Sequence, residues 1–136
     1  MKEKIATIVG AGALAAAAVI CLVPAAQAGN DPSIKGKLRE DIGKAMNGFF
    51  AEQTVDGVMR VYDPVDGKLL KLKLDSLHSG IVKKGDFYVS CADFRDQDDR
   101  KIDLDVLVIE AGKGLKATQG IVHSVEGKKR PYHLED

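Results

Sequence analysis

The chain has 136 residues, and its 20 lysine and arginine residues are balanced by 20 aspartate and glutamate residues. This balance excludes the strongly basic surface that marks nucleic-acid-binding proteins, so we expect no nucleic-acid partner. Tryptophan is absent and aromatic residues make up only 5% of the chain, which argues against an aromatic platform for stacking sugars.

The first 28 residues have the pattern of a secretory signal peptide. Lys2 and Lys4 precede an apolar stretch from Ile5 to Val23, and small residues occupy the cleavage positions in Ala26-Gln27-Ala28. We predict cleavage near Ala28, a periplasmic or secreted bacterial protein, and no stable membrane anchor after cleavage. A retained membrane anchor and a lipidated cysteine are the alternatives, since about 20 apolar residues can span a bilayer.

The remaining residues, 29–136, form one domain of a size that supports a modest hydrophobic core. Loss of the leader also removes Cys21 and leaves Cys91 as the one cysteine. A lone cysteine in an oxidising compartment is buried, reactive, metal-bound or paired with another chain. We predict a buried thiol that packs against Val106.

An amphipathic helix is predicted over residues 32–52. Asp31 is a suitable N-cap, and Pro32 fits the first helical position, where no backbone N–H is needed. Apolar residues then recur at spacings of three and four, which places them on one helix face. These residues are Ile34, Leu38, Ile42, Ala45, Met46 and Phe49.

After Val55 the apolar period changes to two, which is typical of strands. A loop is predicted around Ile81-Val82, between two glycine-containing segments. The predicted strands cover residues 58–62, 70–74, 87–94, 102–109 and 115–125. The expected fold is α+β, with one N-terminal helix packed on a four- or five-stranded antiparallel meander sheet.

The pairing of two of these strands is predicted from a tight turn at Asp98-Asp99. This turn places Cys91 opposite Val106 and predicts that Cys91 faces the core. The other face of the two strands then mixes apolar and polar side chains, which suggests a surface for a partner or ligand. The residues assigned to this predicted partner face are Tyr88, Phe94, Asp103, Leu107 and Ile109, with His123 from the next strand.

Cys91, Asp103 and His123 are the residue types of a thiol-dependent active site. The predicted register sets His123 opposite Asp103 but leaves Cys91 on the opposite face of the sheet. Because a triad cannot form hydrogen bonds through a sheet, the pattern disfavours thiol catalysis unless a β-bulge changes the alternation. We therefore expect no catalytic residues.

Two groups of residues have the types of metal ligands. The segment from Asp93 to Asp103 contains five aspartates, including both ends, but it lacks the glycine and terminal glutamate of a calcium loop, so a solvated hairpin tip is expected. The spacing of His78, His123, His133 and Cys91 matches no zinc pattern. The sequence therefore predicts neither a metal site nor a cofactor.

The order of one helix and a strand meander resembles cystatin-like and PepSY-type domains of secreted bacterial proteins. More narrowly, the chain is similar to small secreted bacterial proteins of unassigned function across residues 55–126. The matching segments are Asp63-Pro64-Val65-Asp66-Gly67, Cys91-Ala92-Asp93-Phe94 and Asp103-Leu104-Asp105-Val106. Gln53-Thr54-Val55-Asp56-Gly57 also fits the Gln-x-Val-x-Gly letters of the cystatin inhibitory loop, although it would lie at the helix exit.

These observations favour a non-enzymatic periplasmic or secreted binding or accessory domain. Its partner would be a protein or a small apolar ligand held on the predicted partner face. A thiol- or histidine-dependent enzyme or redox protein is one alternative, and a module that inhibits proteases is another. A self-associating structural component is a further possibility.

Overall fold

The computed structural model describes residues 29–132 and residue 134, so the predicted leader and His133 lie outside the described residues. One helix is followed by seven strands that form a single sheet in chain order, with every neighbouring pair antiparallel. The elements are α1 (Gly36–Gln53), β1 (Thr54–Val55), β2 (Val58–Asp63), β3 (Lys68–Lys84), β4 (Phe87–Arg95), β5 (Lys101–Ala111), β6 (Gly114–Val125) and β7 (Lys128–Lys129).

The α+β class is confirmed, but a sheet of four or five strands is too small. The two additional strands, β1 and β7, have two residues each and form the two edges of the sheet. Strands this short carry no detectable alternation, so a period-two pattern cannot reveal them.

The predicted start of the helix is wrong by four residues. Asp31 does not cap the helix; its carboxylate instead accepts a hydrogen bond from the Ser33 N–H at 2.9 Å and closes a local turn. The helix begins at Gly36 after Lys35, which provides no side-chain cap. A preceding segment is held to β3 because the Asp31 N–H donates to the Ile81 carbonyl at 2.7 Å.

The core lies between α1 and one face of the sheet. Ile42, Met46 and Phe50 of α1 are buried, and the Phe50 ring meets the Phe94 ring edge-to-face with centroids 5.1 Å apart. Edge-to-face pairs add stabilisation beyond the apolar area they bury. The helix is therefore held by the sheet, as its two internal glycines, Gly43 and Gly48, would require.

Strand β3 continues through the segment that was predicted to be a loop. Ile81 and Val82 pair with Ser90 and Val89 of β4. The Ser79-Gly80 pair does not end the strand but belongs to a β-bulge, because three residues of β3, residues 78–80, face the single residue Cys91 of β4.

The predicted register between β4 and β5 is wrong by one residue. Cys91 pairs with Asp105 and not with Val106. The cause is the connection, which is a five-residue loop over residues 96–100 and not a two-residue turn at Asp98-Asp99. Within this loop the Asp96 carboxylate accepts hydrogen bonds from two backbone N–H groups, and Asp99 adopts a positive φ of 57°.

A one-residue shift moves every side chain of a strand to the other face. The faces of β5 were predicted correctly, but those of β4 are inverted. Tyr88 and Phe94, assigned to the predicted partner face, are 4% and 1% exposed and belong to the core beneath α1. Cys91 lies instead on the face away from the helix, which we call the outer face.

Candidate metal centre

The centre of the outer face is a polar pair on two adjacent strands. Cys91 of β4 and Asp105 of β5 are direct partners in the sheet, and both residues are 0% exposed. The Cys91 thiol donates to the Asp105 Oδ1 over 2.8 Å. Cys91 is therefore buried, as predicted, but its partner is a carboxylate and not the Val106 side chain.

A β-bulge directs His123 onto this pair. Ser124 pairs with Asp103 and Val122 pairs with Leu104, so His123 is the additional residue of β6. Its Nδ1 lies 2.9 and 3.0 Å from the two Asp105 oxygens. Since an ionised carboxylate only accepts, the ring N–H donates in this contact. The predicted pairing of Asp103 with His123 is wrong: Asp103 pairs with Ser124, and the aspartate that His123 contacts is Asp105.

The other side of the pair is flanked by the bulge of β3, which carries His78. The His78 Nε2 lies 2.9 Å from the Asp93 Oδ1, and the Lys101 Nζ lies 3.4 Å from the Asp93 Oδ2. The bulge is held in place from both sides, because the Ser90 hydroxyl donates to the Gly80 carbonyl at 2.7 Å and Arg39 donates to the Ser79 carbonyl. Bulges that redirect a side chain occur often beside functional sites.

Asp103 completes the group and is the least satisfied of its members. Its Oδ1 is buried without a hydrogen-bond partner in the described structure. Burial raises the pKa of the Asp103 carboxyl, and the nearby carboxylates of Asp93 and Asp105 add to the rise, whereas His78 and His123 oppose it. The site thus holds an acidic group that lacks a compensating donor.

These side chains bring potential metal ligands together in two overlapping sets. His78, Cys91 and Asp103 form one set, and Cys91, Asp105 and His123 form the other. Within each set the ligand atoms lie within 4.8 Å of one another. We call these five residues the outer-face cluster. Both histidines reach it from bulges, so spacing along the sequence could not reveal the site.

Three members of the cluster had a predicted role. Asp103 and His123 were predicted to lie on the partner face, and Cys91 was predicted as a buried thiol. Asp105 was not among the predicted site residues. It pairs with Ile121 across the sheet, and this pairing does not indicate that the bulged His123 contacts it. His78 was considered only in a zinc spacing pattern.

Two apolar members of the predicted partner face lie on the same face of the sheet as the cluster. Leu107 and Ile109 remain on the outer face and are half-buried. Phe87 and Val89 of β4 now join them, opposite Ile109 and Leu107 respectively. A partner surface of this kind therefore remains a prediction, with a changed set of residues on β4.

The C-terminal segment reaches the cluster. The Leu134 N–H donates to the Asp105 Oδ2 at 3.1 Å. Upstream, the Arg130 guanidinium pairs with the fully buried Asp63 carboxylate and lies 3.1 Å from the Asp66 Oδ2. This ion pair holds the start of the C-terminal segment beside the β2–β3 turn. With the Leu134 amide included, the Asp105 carboxylate accepts hydrogen bonds from a thiol, an imidazole and a backbone N–H.

The order of contacts in the cluster differs from that of a thiol-dependent active site. Such a site needs an imidazole that takes the proton from the thiol, with a third group behind the imidazole. Here the Asp105 carboxylate is the common partner of both Cys91 and His123.

Comparisons with protein-family models, with curated proteins and with solved structures found no match to this chain. The resemblance to cystatin-like and PepSY-type domains therefore stays a prediction. Among residues 29–132 and residue 134, no helix is sufficiently long and apolar to cross a membrane.

Proposed function

We propose that this protein is a non-enzymatic binding domain whose ligand is a transition-metal ion of the zinc class. The observation that supports the proposal is the convergence of two bulged histidines on the Cys91–Asp105 pair, with ligand atoms within 4.8 Å in each set. Export to the periplasm or the cell exterior, as the leader pattern predicts, is part of the proposal.

The types of ligand favour one class of metal. Thiolate and imidazole groups bind Zn²⁺ and related transition metals, whereas Ca²⁺ and Mg²⁺ prefer shells made only of oxygen atoms. Zinc sites have bond lengths of about 2.0–2.3 Å, which corresponds to about 3.3–3.8 Å between ligand atoms in a tetrahedron. Separations of up to 4.8 Å within each set therefore require side-chain movements of about 1 Å.

The metal-free cluster also gains electrostatically from a cation. Asp93, Asp103 and Asp105 share the outer face with the Cys91 thiol, and among the described residues the lysine that forms an ion pair with one of these carboxylates is Lys101, beside Asp93. Buried charges are costly unless they are paired or coordinate metals. A bound dication would supply the positive charge that the interior of the cluster lacks.

Binding without catalysis is favoured by the enclosure of the cluster. Cys91, Asp105 and His123 are 0%, 0% and 6% exposed, and catalytic zinc sites keep a position open for water or substrate. The adjacent apolar residues Leu107 and Ile109 would serve recognition of a partner and not chemistry on a substrate.

Equilibrium dialysis of the purified protein against Zn²⁺, with Ca²⁺ and Mg²⁺ as separate ligands, tests the proposal. We expect tight retention of Zn²⁺, measured by elemental analysis, and no retention of the other two ions. Asp105→Asn should weaken retention at least tenfold, while Asp86→Asn, at an exposed turn, should leave it unchanged. Equal retention by both variants, or no retention by the unmodified protein, would overturn the proposal.

A further inference from the structure

We infer that the outer-face cluster binds two metal ions that share the Cys91 thiolate as a bridging ligand. This inference rests on the proposed metal-binding function and extends it to the number of ions and their connection. His78 and Asp103 would complete the coordination of one ion, and Asp105 and His123 that of the other. Cys91 is the one residue that belongs to both sets.

The strand order separates the two histidines. His78 comes from β3 and His123 from β6, with β4 and β5 between them. Neighbouring strands are about 4.8 Å apart, so the axes of β3 and β6 lie about 14 Å apart. The two histidines therefore approach the central pair from opposite sides, which favours two adjacent ions over one ion bound by both imidazoles.

The central residues have a suitable spacing for this arrangement. Asp103 and Asp105 are two residues apart on β5, so they share a face and lie roughly 6–7 Å apart along the strand. Cys91 lies across from Asp105 on β4. Two-metal sites typically hold their ions about 3.5–4 Å apart, a separation that a single bridging sulfur atom between two carboxylates can span.

The charges of the cluster can accommodate two dications. A Cys91 thiolate and the carboxylates of Asp93, Asp103 and Asp105 would carry four negative charges, and the Lys101 ammonium beside Asp93 offsets one of them. Two Zn²⁺ ions would then leave a net charge of +1 and one ion a net charge of −1, so the number of ions is decided by the positions of the ligands and not by charge alone. A single ion bound by Cys91, Asp105 and His123 would not contact Asp103, which belongs to the other set. The buried Asp103 Oδ1 would then remain without a partner in the described structure, whereas a second ion would bind it.

Loading requires one covalent change at the bridge. The Cys91 S–H bond breaks, two sulfur–metal bonds form, and the proton leaves to solvent. Metal ligands are deprotonated in this manner when a thiol binds zinc. No electron is transferred, and the thiol needs no oxidant.

Elemental analysis after equilibrium dialysis gives the number of ions in the purified protein. We expect two Zn²⁺ per chain, and one each for His78→Ala and His123→Ala, with folding checked by circular dichroism. Asp86→Asn is the matched control and should retain two. No bound ion in the unmodified protein would refute the proposed function itself, whereas one ion would overturn only the shared-thiolate arrangement.

Cobalt substitution tests the bridge independently of the variants. Two Co²⁺ ions joined by one thiolate should couple magnetically, so the second equivalent of Co²⁺ should reduce the paramagnetic signal per ion. If two Co²⁺ ions bind and the signal per ion stays constant, the ions occupy separate sites and the bridging role of Cys91 is refuted.

Discussion

Replacement of Asp103 by asparagine should stabilise the metal-free protein, although it removes a native side chain. At neutral pH the change removes a negative charge whose Oδ1 is buried without a described hydrogen-bond partner, and an unsatisfied buried group costs about 1–3 kcal/mol, more when it is charged than when it is a neutral amide. Because the residue as a whole is only half-buried, the low end applies. We therefore expect Asp103→Asn to raise the free energy of unfolding by about 1 kcal/mol at pH 7, or the Tm by about 4 °C.

The gain in stability from Asp103→Asn should depend on pH. The pKa of Asp103 is raised in the folded state, mainly by burial. The folded protein thus holds this proton more tightly than the unfolded chain does, and native stability falls as pH rises through the folded pKa. The gain from asparagine should be complete above that pKa and absent below about pH 3.9, the ordinary aspartate value.

Calorimetry in the presence of a chelator, at pH 3.5 and pH 7, measures this gain. The same variant should lose part of the stabilisation that Zn²⁺ gives the unmodified protein, which is about 2.7 kcal/mol at a free concentration 100 times the Kd. Asp86→Asn should change neither quantity. Loss of metal-free stability at pH 7 in Asp103→Asn, or an equal gain at both pH values, would refute the reasoning.

Three further predictions follow from individual contacts. Arg130→Met should lower the free energy of unfolding in urea by about 3–5 kcal/mol, because the fully buried Asp63 carboxylate loses its cationic partner. The control Lys129→Met, at an exposed position, should change it by less than about 0.5 kcal/mol. Similar values for the two variants would contradict the importance of the ion pair. Burial opposes the charged form of Asp96, but hydrogen bonds from Arg100 and Asp98 outweigh it and lower the pKa. Asp96→Ala should therefore cost about 2 kcal/mol at neutral pH, and the difference should shrink as pH falls below about 4; a constant difference would show that the charge is not responsible. Cys91, which is 0% exposed, should resist a thiol reagent until the protein unfolds, and rapid labelling of the native protein would show that the site is open.

Hydrophobic alternation was sufficient to predict the class of the fold and the positions of the five longer strands, but not the full length of β3, which continues to Lys84. Leu104, Val106 and Val108 face the core as expected, and Asp103 and Asp105 face away. When one face of a strand packs on a core, apolar and polar residues alternate along its sequence. This part of the architecture could therefore be predicted.

The register between β4 and β5 could not be predicted from alternation, because it depends on the number of residues in the loop that connects the two strands. The Asp96 side chain ties the loop by accepting from the N–H groups of Asp98 and Arg100, and Asp99 takes a left-handed conformation. A five-residue loop and a two-residue turn share the same polar composition. The length of this connection decides whether the Cys91 side chain points toward the helix or lies on the outer face beside Asp105.

The bulges of β3 and β6 that carry His78 and His123 could not be predicted from the apolar pattern of a single sequence either. The Ser79-Gly80 pair signals an interruption of β3, but such a signal fits a loop as well as a bulge. Nothing in the apolar pattern of β6 marks His123 as an additional residue. The candidate site therefore depends on which residues the bulges of β3 and β6 add to the sheet, and only the strand pairing determines this.

Cobalt absorption spectroscopy of the purified protein tests the central claim most directly, because a thiolate bound to Co²⁺ produces an intense sulfur-to-metal charge-transfer band. A Cys21→Ser background removes the other cysteine of the chain. In this background we predict that Co²⁺ produces the band, that Zn²⁺ abolishes it by displacement, and that Cys91→Ser never shows it. A protein that remains folded and gives no band with Co²⁺ would contradict metal binding at the outer-face cluster.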